Sequence, residues 1–205
     1  MVSDACLLTD NHARYYADRV SSSLETDLSA VRTMAHFVAS DVNVRSKPTR
    51  DYYNSLLVQI LHSQTRYTAV WDSWEFKITD PGWQKSHGRV STSIYRRADG
   101  YGIKIDTLDF NSPNEGSMYF AIKSNEKEAL TDPYFYSYTN RASDQILETS
   151  FVVPIMKEDV FCGVVGIDVS MEGFQQMIDT IHPLPGSYAM LLSNNSSVIS
   201  HPYRD

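Results

Sequence analysis

The chain has 205 residues, of which 42% are hydrophobic, 21% charged and 12% aromatic. This length suits one large domain or two small ones, and the apolar fraction is sufficient for a packed core. A formal net charge of -7 argues against the basic surface of a general nucleic-acid binder. No run approaches the ~20 apolar residues that span a bilayer, and no signal-peptide pattern is present. We therefore expect the chain as given to be soluble.

The N-terminal region predicts one long amphipathic helix from about Asn11 to Val42. A proline at position 48 ends it, because proline disfavours helical backbone in the residue before it. Apolar residues recur at spacings of four and three, which places them on one stripe. The stripe suits either a coiled-coil dimer or packing on the protein's own sheet, and one helix can do both along its length. Its residues are Leu24, Leu28, Val31, Ala35, Val38 and Val42.

The rest of the chain alternates short strands with short helices. Because turns link most of these strands, the sheet should be antiparallel and the fold class α+β rather than a doubly wound parallel sheet. β-branched and aromatic runs predict the strands, and the helical period predicts the helices. The predicted strands are 67–71, 73–76, 90–97, 101–108, 146–156, 160–169, 188–192 and 198–201; the predicted helices begin at 48, 118 and 171 and end near 61, 127 and 181.

The sequence carries none of the common catalytic motifs. It has no phosphate-binding loop, no dinucleotide fingerprint, no zinc-protease helix and no nucleophile elbow. The six histidines are scattered without metal-ligand spacing, and Cys6 and Cys162 are too few and too distant for a disulfide framework or a zinc site. Cys162 lies in an apolar run, which favours a buried side chain. We expect a domain that is not an enzyme and holds no metal and no cofactor.

The segment from Thr149 to Pro202 shows a specific order of motifs. It reads TSFVVPIM at 149–156, FCGVVGIDVS at 161–170, GSYAMLLS at 186–193 and VISHP at 198–202, with a charged turn and a helix between them. This order resembles the double Cache family, the extracytoplasmic sensor domains of bacterial and archaeal chemoreceptors and histidine kinases. The resemblance extends from about Leu24 to the end of the chain.

The resemblance implies a long helix that carries two PAS-like modules. It divides the chain into the N-terminal helix at 1–47, a membrane-distal module at 48–170 and the start of a membrane-proximal module at 171–205, which the chain leaves truncated. It implies a small ligand bound between the sheet and the overlying loops of the distal module. It also implies an extracytoplasmic location in a membrane-anchored parent protein with a kinase or chemoreceptor output.

The resemblance also assigns ligand-binding residues. In the amino-acid-binding branch, the aspartate that matches Asp168 holds the ligand's amino group, and pocket residues match Tyr119 and Tyr134. Gly116 and Met118 replace the arginine and tryptophan of that branch, so the bidentate clamp for an α-carboxylate is missing. An amino acid, a carboxylate and an amine all stay open as ligands. The predicted site consists of Asp168, Tyr119, Tyr134, Tyr95, Trp74, Trp71 and Met118.

Physical reasoning leaves alternatives for several of these residues. Asp168 ends an apolar strand, so its carboxylate must be solvated, paired or used as the cap of the helix near Met171. Strand alternation places Trp71 and Trp74 on opposite faces unless a bulge intervenes, so one of them belongs to the core or the surface. The candidates to replace the missing arginine are Arg96, Arg97 and Lys123.

These observations predict a ligand-sensing domain, with a homodimer formed through the N-terminal helix. The alternative from another class is a structural or dimerisation module whose sheet pocket is filled by its own side chains. A third interpretation is a PAS-like domain that holds haem. His87 and His182 would then be the ligands, although neither has a partner at ligand spacing.

Overall fold

The computed structural model describes residues 2–40, 47–193, 196 and 198–203, and Val42, Asn194 and Asn195 lie outside these residues. The fold class is α+β, as predicted. The helices are α1 (Val2–Ser40), α2 (Lys47–Ser63), α3 (Phe76–Thr79), α4 (Met118–Asn125) and α5 (Met171–Ile178). The strands are β1 (Tyr67–Glu75), β2 (Arg89–Arg97), β3 (Gly100–Leu108), β4 (Ala129–Leu130), β5 (Tyr134–Tyr136), β6 (Ile146–Lys157), β7 (Val160–Ser170), β8 (Leu191–Leu192) and β9 (Val198–Ser200).

Helix α1 begins nine residues earlier than the apolar stripe predicted, at Val2. No glycine or proline interrupts residues 2–40, so the helix continues where the stripe is absent. Most residues before Val20 are exposed, whereas Val31 and Val38 are buried against the sheet. The described part of the stripe therefore packs on the protein's own sheet.

The main sheet is antiparallel throughout, with the strand order β3-β2-β1-β7-β6-β4 and with β5 also paired to β6. Tight turns form the β2–β3 and β6–β7 hairpins, as the sequence predicted. Glu158 and Asp159 both adopt positive φ in the second turn, at 49° and 61°. This left-handed backbone matches the right-handed twist of the two strands that it joins.

The two faces of the sheet differ in what covers them. On the first, which we call the helix face, α1 and α2 pack over an apolar core that includes Val70, Ile94 and Ile167. The opposite face, which we call the loop face, is covered by α4 and by the segments that surround it. Alternation along β1 directs Trp71 to the loop face and Trp74 to the helix face.

Smaller departures from the predicted elements occur at their ends. α4 stops at Asn125, where Glu126 takes a left-handed conformation at φ 56°. α5 stops at Ile178, and β8 and β9 are shorter than the predicted closing hairpin. The short helix α3 and the short strand β5 were not predicted from the sequence. Over the described residues, no helix holds an apolar stretch long enough to cross a bilayer.

Candidate functional site

Asp168 lies on the loop face near the C-terminal end of β7, beside the start of β1, and is 3% exposed. Its Oδ1 accepts hydrogen bonds from Trp71 Nε1 at 2.8 Å and from Ser150 Oγ at 2.5 Å, and its Oδ2 accepts one from the Tyr138 hydroxyl at 2.6 Å. These donors belong to β1, to β6 and to the segment after β5. Ser170 takes the N-cap position of α5, so Asp168 does not cap that helix. Three parts of the chain therefore converge on one carboxylate.

A second buried acid, Glu148, lies beside Asp168 on β6. The Tyr138 hydroxyl is 2.9 Å from each of its carboxyl oxygens, and Thr68 Oγ1 donates to Oε2 at 2.9 Å. A β-bulge between Tyr67 and Ala69 turns Thr68 toward this face. Our sequence analysis missed both Glu148 and Tyr138. Glu148 stands in a polar run with Thr149 and Ser150 at the start of β6, so it lacked the signal of a charge in an apolar run that marked Asp168.

The two carboxyl groups hold a proton at neutral pH. Burial, followed by the charge of Asp168, raises the pKa of Glu148 to about 8. Burial also raises the pKa of Asp168, against the hydrogen bonds from Ser150, Tyr138 and Trp71. A single hydroxyl hydrogen serves only one carboxylate at a time. Tyr138 therefore donates to Asp168, and protonated Glu148 supplies the hydrogen for its own contact with Tyr138.

Aromatic rings surround this pair. Tyr95 stacks on Tyr138 with ring centroids 5.1 Å apart and planes 9° apart. The Trp71 ring lies directly over Gly166, where an added Cβ would meet the indole at 2.3 Å. Gly102 makes the same room for Tyr95, also at 2.3 Å. The two glycines therefore allow the rings to lie flat against the sheet.

Tyr134 completes the group around Asp168, since its hydroxyl is 2.6 Å from Ser150 Oγ. Burial, followed by the charge of Asp168, raises its pKa well above the ordinary value. The predicted residues that the structure brings together at Asp168 are thus Trp71, Tyr95 and Tyr134. Tyr138 and Glu148 join them.

Tyr119 belongs to a second polar cluster of the loop face, at the other end of β1. Its hydroxyl donates to Glu75 Oε1 at 2.6 Å, and Lys123 Nζ lies 2.8 Å from the same oxygen. The Arg89 guanidinium lies 3.9 Å from the centre of the Tyr119 ring. Met118 packs in the apolar cluster that Tyr119 shares with Trp71. Tyr119 and Met118 therefore lie on the predicted face without contacting Asp168 directly.

The structure does not bring Trp74, a predicted site residue, to Asp168, because the two lie on opposite faces of the sheet. The pairing of β1 with β2 and β7 is regular from Ala69 to Trp74, so no bulge brings the two tryptophans to one face. Trp74 is 5% exposed and stacks on Tyr53 of α2 at 6.2 Å between ring centroids. It is a core residue of the helix face.

The candidates to replace the missing arginine are engaged elsewhere. Arg96 donates to the carbonyl of Leu61 at 2.6 Å and to the carbonyl of Tyr67 at 3.0 Å, on the helix side. Arg97 pairs with Asp99 in the hairpin turn at 3.0 Å. Lys123 pairs with Glu75, as described above. In the described part of the chain, no lysine, arginine or histidine forms an ion pair with Asp168 or Glu148.

The cavities around α1 lie away from these residues. One of about 500 Å³ runs between the N-terminal half of α1 and the segment from Ile178 to Leu191, and another of about 180 Å³ lies between Leu24 and Leu130. Neither Asp168 nor Glu148 lines them. Over Asp168, the ring and hydroxyl of Tyr138 close the loop face.

Comparison with known proteins identifies the fold. No protein-family model and no curated protein sequence matches the chain. Solved structures do. The extracellular domain of the histidine kinase mmHK1S-Z2 has a TM-score of 0.72 and 25% identity, over 92% of this chain and 69% of that one. Methyl-accepting chemotaxis protein X has a TM-score of 0.70 and 19% identity, over 95% of this chain and 72% of that one.

The ligand-binding domain of the Campylobacter jejuni chemoreceptor Tlp3, solved in complex with L-valine, has a TM-score of 0.65 and 12% identity, over 94% of this chain and 70% of that one. The chain therefore has the fold of the extracellular sensor domains of histidine kinases and chemoreceptors. This confirms the fold that the resemblance to the double Cache family implied.

Proposed function

We propose that this chain is the extracytoplasmic sensor domain of a membrane-anchored kinase or chemoreceptor, without catalysis of its own, and that it binds a small molecule on the loop face at Asp168. The observation that carries this proposal is the convergence of donors from three parts of the chain on that buried carboxylate. A group that competes for these donors would move several elements together. The shared fold of the sensor domains supports the same assignment.

The contacts around the start of β1 suggest how binding reaches α1. Thr68 faces Glu148, whereas its neighbour Tyr67 faces the opposite side and donates from its hydroxyl to Asp27 Oδ1 of α1 at 2.9 Å. Arg66 also pairs with Asp27. A movement of Glu148 would therefore be transmitted to α1 through the adjacent residues Thr68 and Tyr67. Such a route transmits a signal only if the ligand prefers one of two arrangements.

A thermal-shift screen with amino acids, carboxylates, amines and purines tests the proposal. We expect at least one class to raise the melting temperature of the purified chain, because a ligand that binds only the folded state stabilises it. Asp168→Ala should abolish the shift, with the apo fold verified by circular dichroism. Asp99→Ala, at an exposed aspartate in the β2–β3 turn, is the matched control and should keep it.

One observation favours a second candidate, an interaction module with no small-molecule ligand. Tyr138 already donates to Asp168 and stacks on Tyr95, so the protein's own side chains satisfy the site. If no compound class shifts the melting temperature of the wild-type chain, this candidate replaces the sensor.

We also propose that the chain forms a homodimer through α1. The sheet uses the stripe from Leu24 to Val38, but the N-terminal third of the helix presents Leu7, Leu8 and Tyr15 to solvent. Light scattering of the eluted chain measures the mass of the wild type and of Leu8→Glu. We expect the wild type to be a dimer that Leu8→Glu dissociates, and a monomer that the substitution leaves unaffected would contradict the proposal.

A further inference from the structure

We propose that the edge strand β3 is a contact surface between two copies of this chain, and that two β3 strands pair antiparallel about a two-fold axis at Ile105. The pairing joins the two main sheets into one continuous sheet. This contact goes beyond the proposed function and is separate from the α1 dimer, because α1 packs over β6 and β7 on the other side of the sheet.

β3 forms one edge of the main sheet. In the described part of the chain it pairs with β2 and with no other strand. Every second residue of an edge strand directs its backbone N–H and C=O groups away from the sheet, where they can pair with another strand. The nine residues of Gly100–Leu108 present these groups in regular extended backbone.

The features that usually keep edge strands apart are absent from residues 100–108. Proline and β-bulges interrupt pairing, and projecting charges repel a second strand. This segment holds no proline, and its register with β2 is unbroken. Its one lysine, Lys104, folds over the loop face, where the ammonium group donates to the Tyr136 hydroxyl at 3.0 Å and to the Ser137 carbonyl at 3.4 Å. The lysine charge therefore does not project from the edge.

An apolar row of β3 is left largely uncovered on the helix face. Ile103 pairs with Ile94, a core residue of that face, so the alternate residues Tyr101 and Ile105 lie on the same side. His62 of α2 lies against Tyr101, with ring centroids 5.9 Å apart. Beyond it, Ile103 is 51% and Ile105 64% exposed. Neighbouring exposed apolar side chains of this kind mark interaction surfaces, and a second β3 strand would cover them.

The charges of β3 favour a second copy as the partner and select the register. Lys104 and Asp106 flank Ile105 in the sequence. An antiparallel pair with its axis at Ile105 therefore places Lys104 opposite the partner's Asp106, and Asp106 opposite the partner's Lys104. Opposite charges at such positions attract, whereas an axis at Lys104 or at Asp106 would oppose like charges. An axis at Ile103 would place both charges opposite glycines.

Sedimentation of the Leu8→Glu chain measures this association without the α1 contact. We expect a dissociation constant of about 0.1–1 mM, because one strand is smaller than the roughly 20–30 residues that each partner contributes to a standard interface. Adding Ile105→Lys removes an apolar contact and opposes two like charges, so it should weaken the association at least about tenfold. Val160→Lys, at an exposed apolar residue of the β6–β7 hairpin, is the matched control and should leave it unchanged.

Disulfide cross-linking with oxidised glutathione tests the register. Ile105→Cys is made in a Cys6→Ser chain, where the buried Cys162 is the one other cysteine. Opposed residues of an antiparallel pair have Cα atoms about 4.5–5.5 Å apart, which a disulfide can span. We therefore expect a covalent dimer. Thr107→Cys is the matched control and should not cross-link, because Thr107 opposes the partner's Ile103 and lies about 13 Å along the strands from its own copy.

The outcomes are decisive for the edge contact. Absence of association by the Leu8→Glu chain up to about 1 mM, or equal weakening by Ile105→Lys and Val160→Lys, overturns it. Cross-linking of Thr107→Cys as fast as that of Ile105→Cys, or none by Ile105→Cys, overturns the register and the charge match that selects it. None of these results changes the proposed ligand site or the sensor function.

Discussion

The hydroxyl of Tyr138 joins two buried acids, since it lies 2.6 Å from Asp168 Oδ2 and 2.9 Å from both carboxyl oxygens of Glu148. The two acids are diagonal neighbours on adjacent strands, because Asp168 on β7 pairs with Ser150 on β6 and Glu148 lies two residues before Ser150 on the same face. The side chain of one loop residue therefore contacts both buried acids of the sheet beneath it.

Tyr138→Phe keeps the ring that stacks on Tyr95 and removes only the hydroxyl. We expect the free energy of unfolding to fall by about 1–3 kcal/mol, because a buried carboxyl group loses its hydrogen-bond partner. Urea denaturation at pH 7 measures the change. Tyr101→Phe, at an exposed position of β3, should change stability by less than about 0.5 kcal/mol. Equal effects of the two substitutions would contradict the bridging role.

Stability should decrease as the pH rises from 5 to 8. The folded pKa of Glu148, about 8, lies above its ordinary value, so the folded state keeps a proton that the unfolded chain has released. The contribution is complete below the unfolded pKa and is lost as pH rises through 8, at about 1 kcal/mol per pH unit. The raised pKa values of Asp168 and Asp27 act in the same direction.

Glu148→Gln should reduce this slope, since glutamine keeps a hydrogen for Tyr138 at every pH. We expect the variant to be more stable than the wild type at pH 8 and similar to it at pH 5, by urea denaturation at both values. Glu172→Gln should reproduce the wild-type slope. A Glu148→Gln slope as steep as that of the wild type would assign the pH dependence to other groups.

Substitutions of the two tryptophans of β1 should have different effects, one mainly on stability and the other mainly on ligand binding. Trp74→Ala removes a buried ring from the helix face and should destabilise the chain by about 3–5 kcal/mol. Trp71→Phe removes the N–H group that donates to Asp168. It should lower the affinity for any ligand found by the screen more than it lowers the free energy of unfolding. Denaturation of both variants measures stability, and ligand titration compares Trp71→Phe with Trp74→Phe. A loss of binding confined to Trp74→Phe, the milder core variant, would reverse the assignment of the two faces.

Asp27 and Asp10 offer a matched pair on one helix, because each is paired with an arginine. Asp27 is 0% exposed and also accepts from Tyr67, so Asp27→Ala should cost about 1–3 kcal/mol. Asp10 is paired with Arg14 in the exposed part of α1, so Asp10→Ala should cost less than about 1 kcal/mol. Chemical denaturation of both variants measures the loss in the free energy of unfolding, and a larger loss for Asp10→Ala than for Asp27→Ala would contradict the prediction.

Local pattern alone predicted most of the fold. The apolar stripe of α1, the hairpin turn at Asp99 and the strand runs of β6 and β7 each lie within a few neighbouring residues, and hydrogen-bonded elements follow such local preferences. Element ends were less well predicted, since α3 and β5 depend on contacts with distant residues.

The candidate site was predictable only in part. Asp168 was identifiable as a charge in an apolar strand, and Trp71, Tyr95 and Tyr134 lie beside it as expected. Glu148 and Tyr138 were missed, because Glu148 stands in a polar run with Thr149 and Ser150 and Tyr138 lies in a loop. Which donors reach which acid depends on strand register.

Composition and periodicity determined that this chain is an acidic α+β domain with one long helix. Net charge and the spacing of apolar residues can be read from the sequence without knowing which distant residues come into contact. Only the tertiary structure showed that Trp71, and not Trp74, faces Asp168, and that Glu148, Tyr138 and Asp168 form one hydrogen-bonded group. Register between β1, β6 and β7 brings together residues up to 97 positions apart, and burial then changes their charge.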